Sequence, residues 1–421
     1  MCDLSFCVIS DSHITSFGDE INKFSKTLKY YSENHKECNL YVFNGDIVYQ
    51  VESYDKPKCE KLNSECYDIA NAEIEKYIPE KRKLFVLGNH EFPQGNTEEK
   101  ITYDAFSMWS EKFSSPIHEH ITVSGYHFIK MGAYSWDFTV GDAEEEWAVA
   151  EIEKAKKDND LPIFIFHHGS IPDTVAYSEN STLFSKSFCD YLKKQPRVIF
   201  TGGHEHSHFL DEKAIFQNGF TMISAPMCAG VSCFDGCDFL KPRVECVSQS
   251  LFFEVTKNKV NVYRVDNSCN KVWKEAWEID VDENKRGIYK YGKDRKENYP
   301  KNGFKPDAKI NAYAENDSIM LDIEQSFLND TIVEYYDISV CDTAGKEIYR
   351  TKRHTDFYKL SMNIEQDKIY KTDIPKPNID EFIISVKPLN CFFETFGEAH
   401  SVKVKCEKRY NRCIKLNMKN G

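Results

Sequence analysis

The chain has no apolar run approaching the roughly 20 residues that a helix needs to cross a bilayer, which excludes a helical membrane span. It also lacks a basic leader followed by an apolar segment. "MCDLSFCVISDSH" runs straight into a strand-like pattern, so no secretory signal is expected. Basic residues are in deficit: Lys and Arg number 54 against 67 Asp and Glu, a net charge of -13, and no basic tract compensates. A nucleic-acid backbone is therefore not the expected partner. An acidic chain can still hold phosphate where metal ions make one pocket locally positive. Histidine is scarce, 13 in 421 residues, so the three crowded into "GGHEHSH" from Gly202 call for an explanation beyond composition.

Cysteine is not scarce. Fifteen are present, an odd number, and without an export signal they read as reduced thiols of a cytoplasmic protein. The spacing of Cys228, Cys233, Cys237 and Cys246 fits no CxxC pairing, so no structural metal is expected there. Hydrophobic residues make up 41% of the chain, with 29 Phe and 23 Tyr, which marks a globular protein long enough for two or three domains.

Five short apolar runs read as strands covered on both faces: "LSFCVIS", "LYVFN", "KLFVLG", "PIFIF" and "RVIFTG". Helical patterns lie between them, in "FSKTLKYYSEN", "CYDIANAEIEKYIPE" and "DAEEEWAVAEIEKAKKDND". The last has an acidic start, Glu144–Glu146, as the first turn of an exposed helix, and a basic end that complements the helix dipole. "HITVSGYHFIKM" predicts a hairpin turning at Ser124-Gly125. Strands alternating with helices give an α/β domain over residues 1–267.

Each strand runs into a polar cluster. The first ends in Asp11 and His13, the second in Asp46, the third in Asn89, His90 and Glu91, the fourth in His167 and His168, and the fifth in His204 and His206. Ligands bind at the carboxyl ends of strands in α/β sheets, so groups tens of residues apart converge on one rim. Carboxylates, imidazoles and an amide oxygen suit two divalent ions, Mn, Zn or Fe. A water held between two such ions becomes a nucleophile near neutral pH, and the pocket would carry a charge of about +2.

The ordered blocks Asp11-x-His13, Gly45-Asp46, Gly88-Asn89-His90-Glu91, His167 and Gly203-His204-x-His206 resemble the calcineurin-like metallophosphoesterase superfamily. That resemblance implies a four-layer α/β/β/α sandwich in which Asp11, His13, Asp46 and His206 hold one metal. The second ion would share Asp46 and take Asn89, His167 and His204, with His168 as the alternative to its neighbour. Asn89 and His90 would bind substrate, and His90 would touch a phosphate oxygen or protonate the leaving group. Asp46 and His90 are the catalytic pair so implied. Protein serine/threonine phosphatases of the superfamily carry an Arg soon after Gly-Asp, and "GDIVYQVES" has none. Tyr49 matches the Gly-Asp-x-x-Tyr block of purple acid phosphatases, but those have Gly where His13 stands, so Tyr49 is read as a pocket residue. His208 is expected on the rim, and His118 and His120 on a solvated strand edge.

Residues 268–306 read as a linker or irregular extension, with the Lys-, Gly- and Asn-rich "KRGIYKYGKDRKENYPKNGFKP" within it. Residues 307–421 alternate in short runs, "KINAYAE", "SIMLDIEQ", "VEYYDISVCD", "EIYRTKRH", "EFIISVKPL" and "SVKVKCE", which predict an all-β sandwich. Two of its stretches resemble fibronectin type III domains, with Phe382 where that family has its corner tyrosine. It carries no catalytic constellation and is expected to frame the cleft or bind a protein partner. The function expected is hydrolysis of phosphate mono- or diesters; the alternative is a non-catalytic scaffold of the same fold in a protein assembly.

Overall fold

The computed structural model describes residues 2–49, 56–92, 104–132, 140–176, 178, 184–230, 246–281, 289–362, 364–407 and 412–416. They divide into two compact units: the first runs through Met1–Cys233 and Pro242–Lys293, and the second holds Phe234–Lys241 and Asp294–Gly421.

The first unit is built on thirteen described strands: β1 Leu4–Ile9, β2 Leu40–Asn44, β3 Lys83–Val86, β4 Glu119–Val123, β5 Tyr126–Lys130, β6 Ile163–Phe166, β7 Val198–Gly202, β8 Ile215–Gln217, β9 Thr221–Ser224, β10 Gln249–Val255, β11 Lys259–Asp266, β12 Lys271–Val272 and β13 Trp277–Asp280. Its helices are α1 Glu20–Asn34, α2 Lys56–Tyr77, α3 Ala105–Phe113, α4 Asp142–Asp158 and α5 Lys186–Leu192. One sheet has the order β12-β11-β10-β1-β2-β3, with β13 also on β11; the other has the order β4-β5-β6-β7-β9-β8.

Alternation along the strands explains the layers. Leu4, Phe6 and Val8 of β1 face Phe128, Phe164 and Phe166 of the second sheet in one apolar core. Their neighbours Cys7 and Ile9 turn the other way, onto Phe24 and Leu28 of α1 and a cluster that takes in Tyr67 of α2 and Trp109 of α3. On the second sheet Ile163 and Ile165 pack outward with Ala148 and Ile152 of α4 and Phe188 of α5. The result is helices, sheet, sheet, helices, as the family resemblance implies.

The hairpin β4–β5 turns where expected, with Ser124 and Gly125 both at positive φ, 50° and 83°. Glu145, in the acidic start of α4, is buried, and its carboxylate accepts from the Ser185 N–H at 2.6 Å. Strands β10 and β11 had no counterpart in the sequence reading; β10 pairs antiparallel with β1 and extends the first sheet. Strands β12 and β13 lie in the stretch expected as a linker, and both pair with β11.

Among its described residues the second unit is all-β apart from one helical turn, α6 Arg295–Asn298, and a short 3-10 segment. Its strands are β14 Ile310–Glu315, β15 Ser318–Glu324, β16 Tyr335–Asp342, β17 Glu347–His354, β18 Ile369–Pro375, β19 Glu381–Leu389, β20 His400–Glu407 and β21 Arg412–Leu416. They form antiparallel sheets ordered β14-β15-β18 and β17-β16-β19-β20-β21. Ile319, Leu321 and Ile374 of one sheet share a core with Ile338, Val340, Phe382 and Ile384 of the other. Strands β18 and β21 were not anticipated.

Candidate metal centre

Three strands of the first sheet and two of the second end at one place. Asp11 and His13 follow β1, Asp46 follows β2, and Asn89 and His90 follow β3; His168 follows β6, and His204 and His206 follow β7. The chain bends sharply there. Asp11, His13, Asp46, His204 and His206 all have positive φ, between 46° and 69°. Few non-glycine residues adopt that region, and Asp and His are among those that do. Backbone strain on five residues of one cluster is the pattern of a functional site. Gly45, at φ 84°, has no such freedom to lose a hydrogen for a methyl: a Cβ there would sit 2.4 Å from His168 Nδ1.

Donor atoms of Asp11, His13, Asp46 and His206 lie within 4.8 Å of one another, and so do those of Asp46, His168 and His204. Asp46 belongs to both groups. His13 Nε2 and His206 Nε2 are 3.2 Å apart, close to the ~3.3 Å edge of a tetrahedron with ~2.0 Å metal–ligand bonds. Asn89 Oδ1 is 3.2 Å from His204 Nδ1, which puts the amide oxygen beside the second group. The donor set, with oxygen and imidazole nitrogen converging, fits divalent transition metals.

The supporting contacts fix each ligand's direction. The Asp11 carboxylate accepts from the Ser10 hydroxyl at 2.5 Å and from the His204 N–H at 3.2 Å, and His206 Nε2 is 3.0 Å away. Asp46 Oδ1 accepts from the His90 N–H at 2.8 Å, leaving Oδ2 turned toward the imidazoles. His168 Nδ1 donates to the Asn44 carbonyl at 2.7 Å, which aims Nε2 at Asp46 Oδ2, 2.9 Å away.

The buried Glu91 completes the loop. Its carboxylate accepts from the N–H groups of Gly88, Asp46 and Ile47 at 2.6, 3.0 and 2.7 Å. It thus clamps the Gly-Asp turn to the Gly-Asn-His loop. The sequence reading gave Glu91 no role, although its place at the end of "GNHE" was the available signal. Burial and the adjacent Asp46 carboxylate push its pKa up to about 8.

Protonation follows from this packing. Burial alone would raise the carboxyls of Asp11 and Asp46, but the charge on His168, joined by His206 for Asp11 and His90 for Asp46, outweighs it and holds both well below the usual range. Burial works against a charged His168, yet the two carboxylates overcome it and push its pKa up to about 10. Burial pushes His13 down to about 4 and His204 to about 3, so both present neutral rings with a lone pair for a metal. His90 is also lowered by burial; its Nε2 is 4.0 Å from Asp46 Oδ2, and its ring meets the His13 ring edge-on at 4.7 Å.

Three placements correct the sequence reading. His168, not His167, joins Asp46 and His204. Side chains alternate along β6, so Phe164 and Phe166 face the other sheet and His168 continues that face. His167 falls on the outer face, with its ring against Phe184 at 5.0 Å and Nδ1 near the Gly169 carbonyl. His208 is not on the rim: it is buried, between the Leu210 N–H at 3.0 Å and the Gln249 side chain at 2.7 Å. His120 is also more than a solvated edge. It links Glu151 Oε2 at 2.6 Å to His127 Nδ1 at 2.8 Å, and His127 Nε2 lies 3.1 Å from Asp158. His118 is partly buried against Trp147 at 5.3 Å. Tyr49 lies beside the centre, stacked on His90 at 4.5 Å. Of the four spaced cysteines, Cys228 is buried and Cys246 exposed, and both are free thiols; Cys233 and Cys237 lie outside the described residues.

Two sheets sandwiched by helices, with carboxylates and imidazoles gathered at their strand ends, define an α/β domain of the metallophosphoesterase class. The profile of the calcineurin-like phosphoesterase family matches residues 4–208. The N-terminal region is a calcineurin-like phosphoesterase domain, followed by an all-β region. No curated protein matches the chain. Among solved structures it is similar to a purple acid phosphatase from yellow lupin (Lupinus luteus) seeds, with 12% identity over 66% of this chain and 53% of that one, TM-score 0.48. The chain thus spans about half the length of the lupin protein. It is also similar to GAP50, the anchor in the inner membrane complex of Plasmodium, with 16% identity over 67% of this chain and 90% of that one, TM-score 0.41. A third is zinc-complexed Vps29 of Entamoeba histolytica, with 12% identity over 66% of this chain and 100% of that one, TM-score 0.30. Among the described residues no helix is long and apolar enough to cross a membrane.

Proposed function

We propose that the protein hydrolyses phosphate mono- or diesters with two divalent ions, manganese, zinc or iron. Asp11, His13, Asp46 and His206 would hold one, and Asp46, Asn89, His168 and His204 the other. The observation that carries this reading is the membership of Asp46 in both donor groups. When bound, the ions supply positive charge for the phosphoryl oxygens and make a water acidic enough to attack near neutral pH.

The chain's own residues do the rest. Ser10 and the His204 N–H orient the Asp11 carboxylate, and the His90 N–H orients that of Asp46. Neutral His13 and His204 keep their ring lone pairs available. His90 holds its side chain toward the centre, 16% exposed, and donates from Nε2 to the ester oxygen as the bond to phosphorus breaks. The net charge of -13 and the lack of basic tracts favour a small phosphoester over nucleic acid.

By itself, the second unit, with sheets of three and five strands, supports a fibronectin type III-like sandwich that binds a protein partner. Free cysteines among the described residues fit a reducing cytoplasm.

The test is hydrolysis of p-nitrophenyl phosphate and bis-p-nitrophenyl phosphate by metal-stripped protein reloaded with each ion, with Asp46→Asn as control. Metal-dependent turnover lost in the variant is the expected result. Two bound ions without turnover of any ester would favour the scaffold. No ion bound would end the reading.

A further inference from the structure

The described part of the first unit exposes few large apolar side chains. The two most exposed are Phe17 at 79%, four residues beyond His13, and Tyr49 at 42%, three beyond Asp46. They emerge from paired segments: the His13 N–H donates to the Asp46 carbonyl at 2.9 Å, that of Ile14 to Ile47 at 3.0 Å, and that of Tyr49 back to Ile14 at 3.0 Å. Phe17 then sits in a tight turn that the Gly18 N–H closes on Thr15 Oγ1 at 2.8 Å. Neither position is accidental slack in a loose loop.

Tyr49 is the inner member of the pair. Its ring stacks on His90 at 4.5 Å with an interplanar angle of 27°, and His90 in turn meets His13 at 4.7 Å. The three rings step from solvent to the metal donors. With its ester oxygen on the His90 side, a phosphoryl group at the centre would carry its organic portion close to Tyr49, the ring stacked on His90. Any planar ring there finds an aromatic face already held in place, so little ordering entropy remains to be lost on binding. An aliphatic alcohol in the same position gains no stacking.

We infer that Tyr49, held against His90, forms an aromatic platform selecting phosphoesters whose leaving group carries a planar aromatic ring, a nucleoside or an aryl alcohol. This rests on the phosphoesterase reading for the position of the ester and adds the substrate class. Stacking of a base on an aromatic side chain sets the expected discrimination at roughly 5- to 150-fold.

The experiment uses the full chain loaded with manganese. kcat/KM is measured for adenosine 5′-monophosphate, phenyl phosphate and glycerol 2-phosphate, and calorimetry compares phenylphosphonate with methylphosphonate, which are not hydrolysed. Each preference is expressed as variant over wild type, which cancels leaving-group reactivity. Tyr49→Ala is expected to lower the aromatic-over-aliphatic preference at least about fivefold in KM and in phosphonate affinity, and Tyr49→Phe to restore it. The two aromatic esters distinguish a nucleoside source from a simple aryl one. A preference that is absent in wild type, or unmoved by Tyr49→Ala, overturns the inference while leaving the hydrolase standing. Phosphonate preference lost in Tyr49→Ala, with no ester turned over, supports the platform and sinks the hydrolase. If neither phosphonate binds and no ester is turned over, both fall.

Discussion

Alanine at His168 and alanine at its neighbour His167 should give opposite signatures, and the difference can be worked from the geometry. In metal-free protein His168 Nε2 lies 2.9 Å from Asp46 Oδ2 and 3.6 Å from Asp11 Oδ1, with all three side chains fully buried. Its pKa is pushed up to about 10. Against an unfolded value near 6.5, that shift corresponds to roughly 5 kcal/mol of preference for the charged form, within reach of the ~3–5 kcal/mol lost when one partner of a buried pair is removed. The folded pKa is the higher one. The contribution is therefore complete below about pH 6.5 and declines as the pH rises toward 10. Between pH 7 and pH 9.5 the stability gap between wild type and His168→Ala should shrink by roughly 3 kcal/mol. His167 is the reverse case: burial pushes its pKa down to about 4, so it is neutral throughout that window. Its alanine variant should lose about 2 kcal/mol for the cavity beside Phe184, with no change across the window. Denaturant unfolding of chelator-treated protein at several pH values reads both, and zinc calorimetry adds the ligand count. A pH-dependent gap or a lost metal equivalent in His167→Ala, and not in His168→Ala, would refute the assignment.

Gly45→Ala places a methyl 2.4 Å from His168 Nδ1 at a positive φ, and should cost about 2–3 kcal/mol in chemical denaturation, with weaker metal binding. Glu91→Ala leaves the N–H groups of Gly88, Asp46 and Ile47 without their acceptor; unfolding experiments should show a loss of about 3 kcal/mol, and Glu91→Gln should recover part of it. A double-mutant cycle on His120 and His127 should return a coupling of about 0.5–2 kcal/mol, since the rings share one hydrogen bond at 2.8 Å; additivity would mean the contact is not formed.

The centre was legible because its strands are buried on both faces. Continuous apolar runs such as "PIFIF" and "RVIFTG" make the first polar residue after each strand stand out. The choice between His167 and His168 was not legible in the same way. It turns on a single step of strand alternation, visible only once Phe164 and Phe166 are seen to face the other sheet. His208 reads as a rim residue until Gln249, forty-one positions away in sequence, is found against it. Strands β10 and β11 pair antiparallel and bring no donor to the centre, so the pattern that marked the other strands did not mark them. The chain Glu151–His120–His127–Asp158 joins two strands and a helix, a relation no local pattern encodes.

The donors come from two separate sheets. Asp11, His13, Asp46 and Asn89 hang from the first, and His168, His204 and His206 from the second; between the sheets stands a wedge of rings, Phe6 against Phe128 at 5.2 Å and against Phe164 at 4.9 Å. The centre is thus a caliper across a seam. Metal affinity becomes a gauge of the spacing between the sheets, so that thinning the wedge with Phe6→Leu would register at ions it never touches. The relation is reciprocal by linkage. Loading the ions would quiet the seam, and amide exchange along the inner strands would slow most where the two sheets meet.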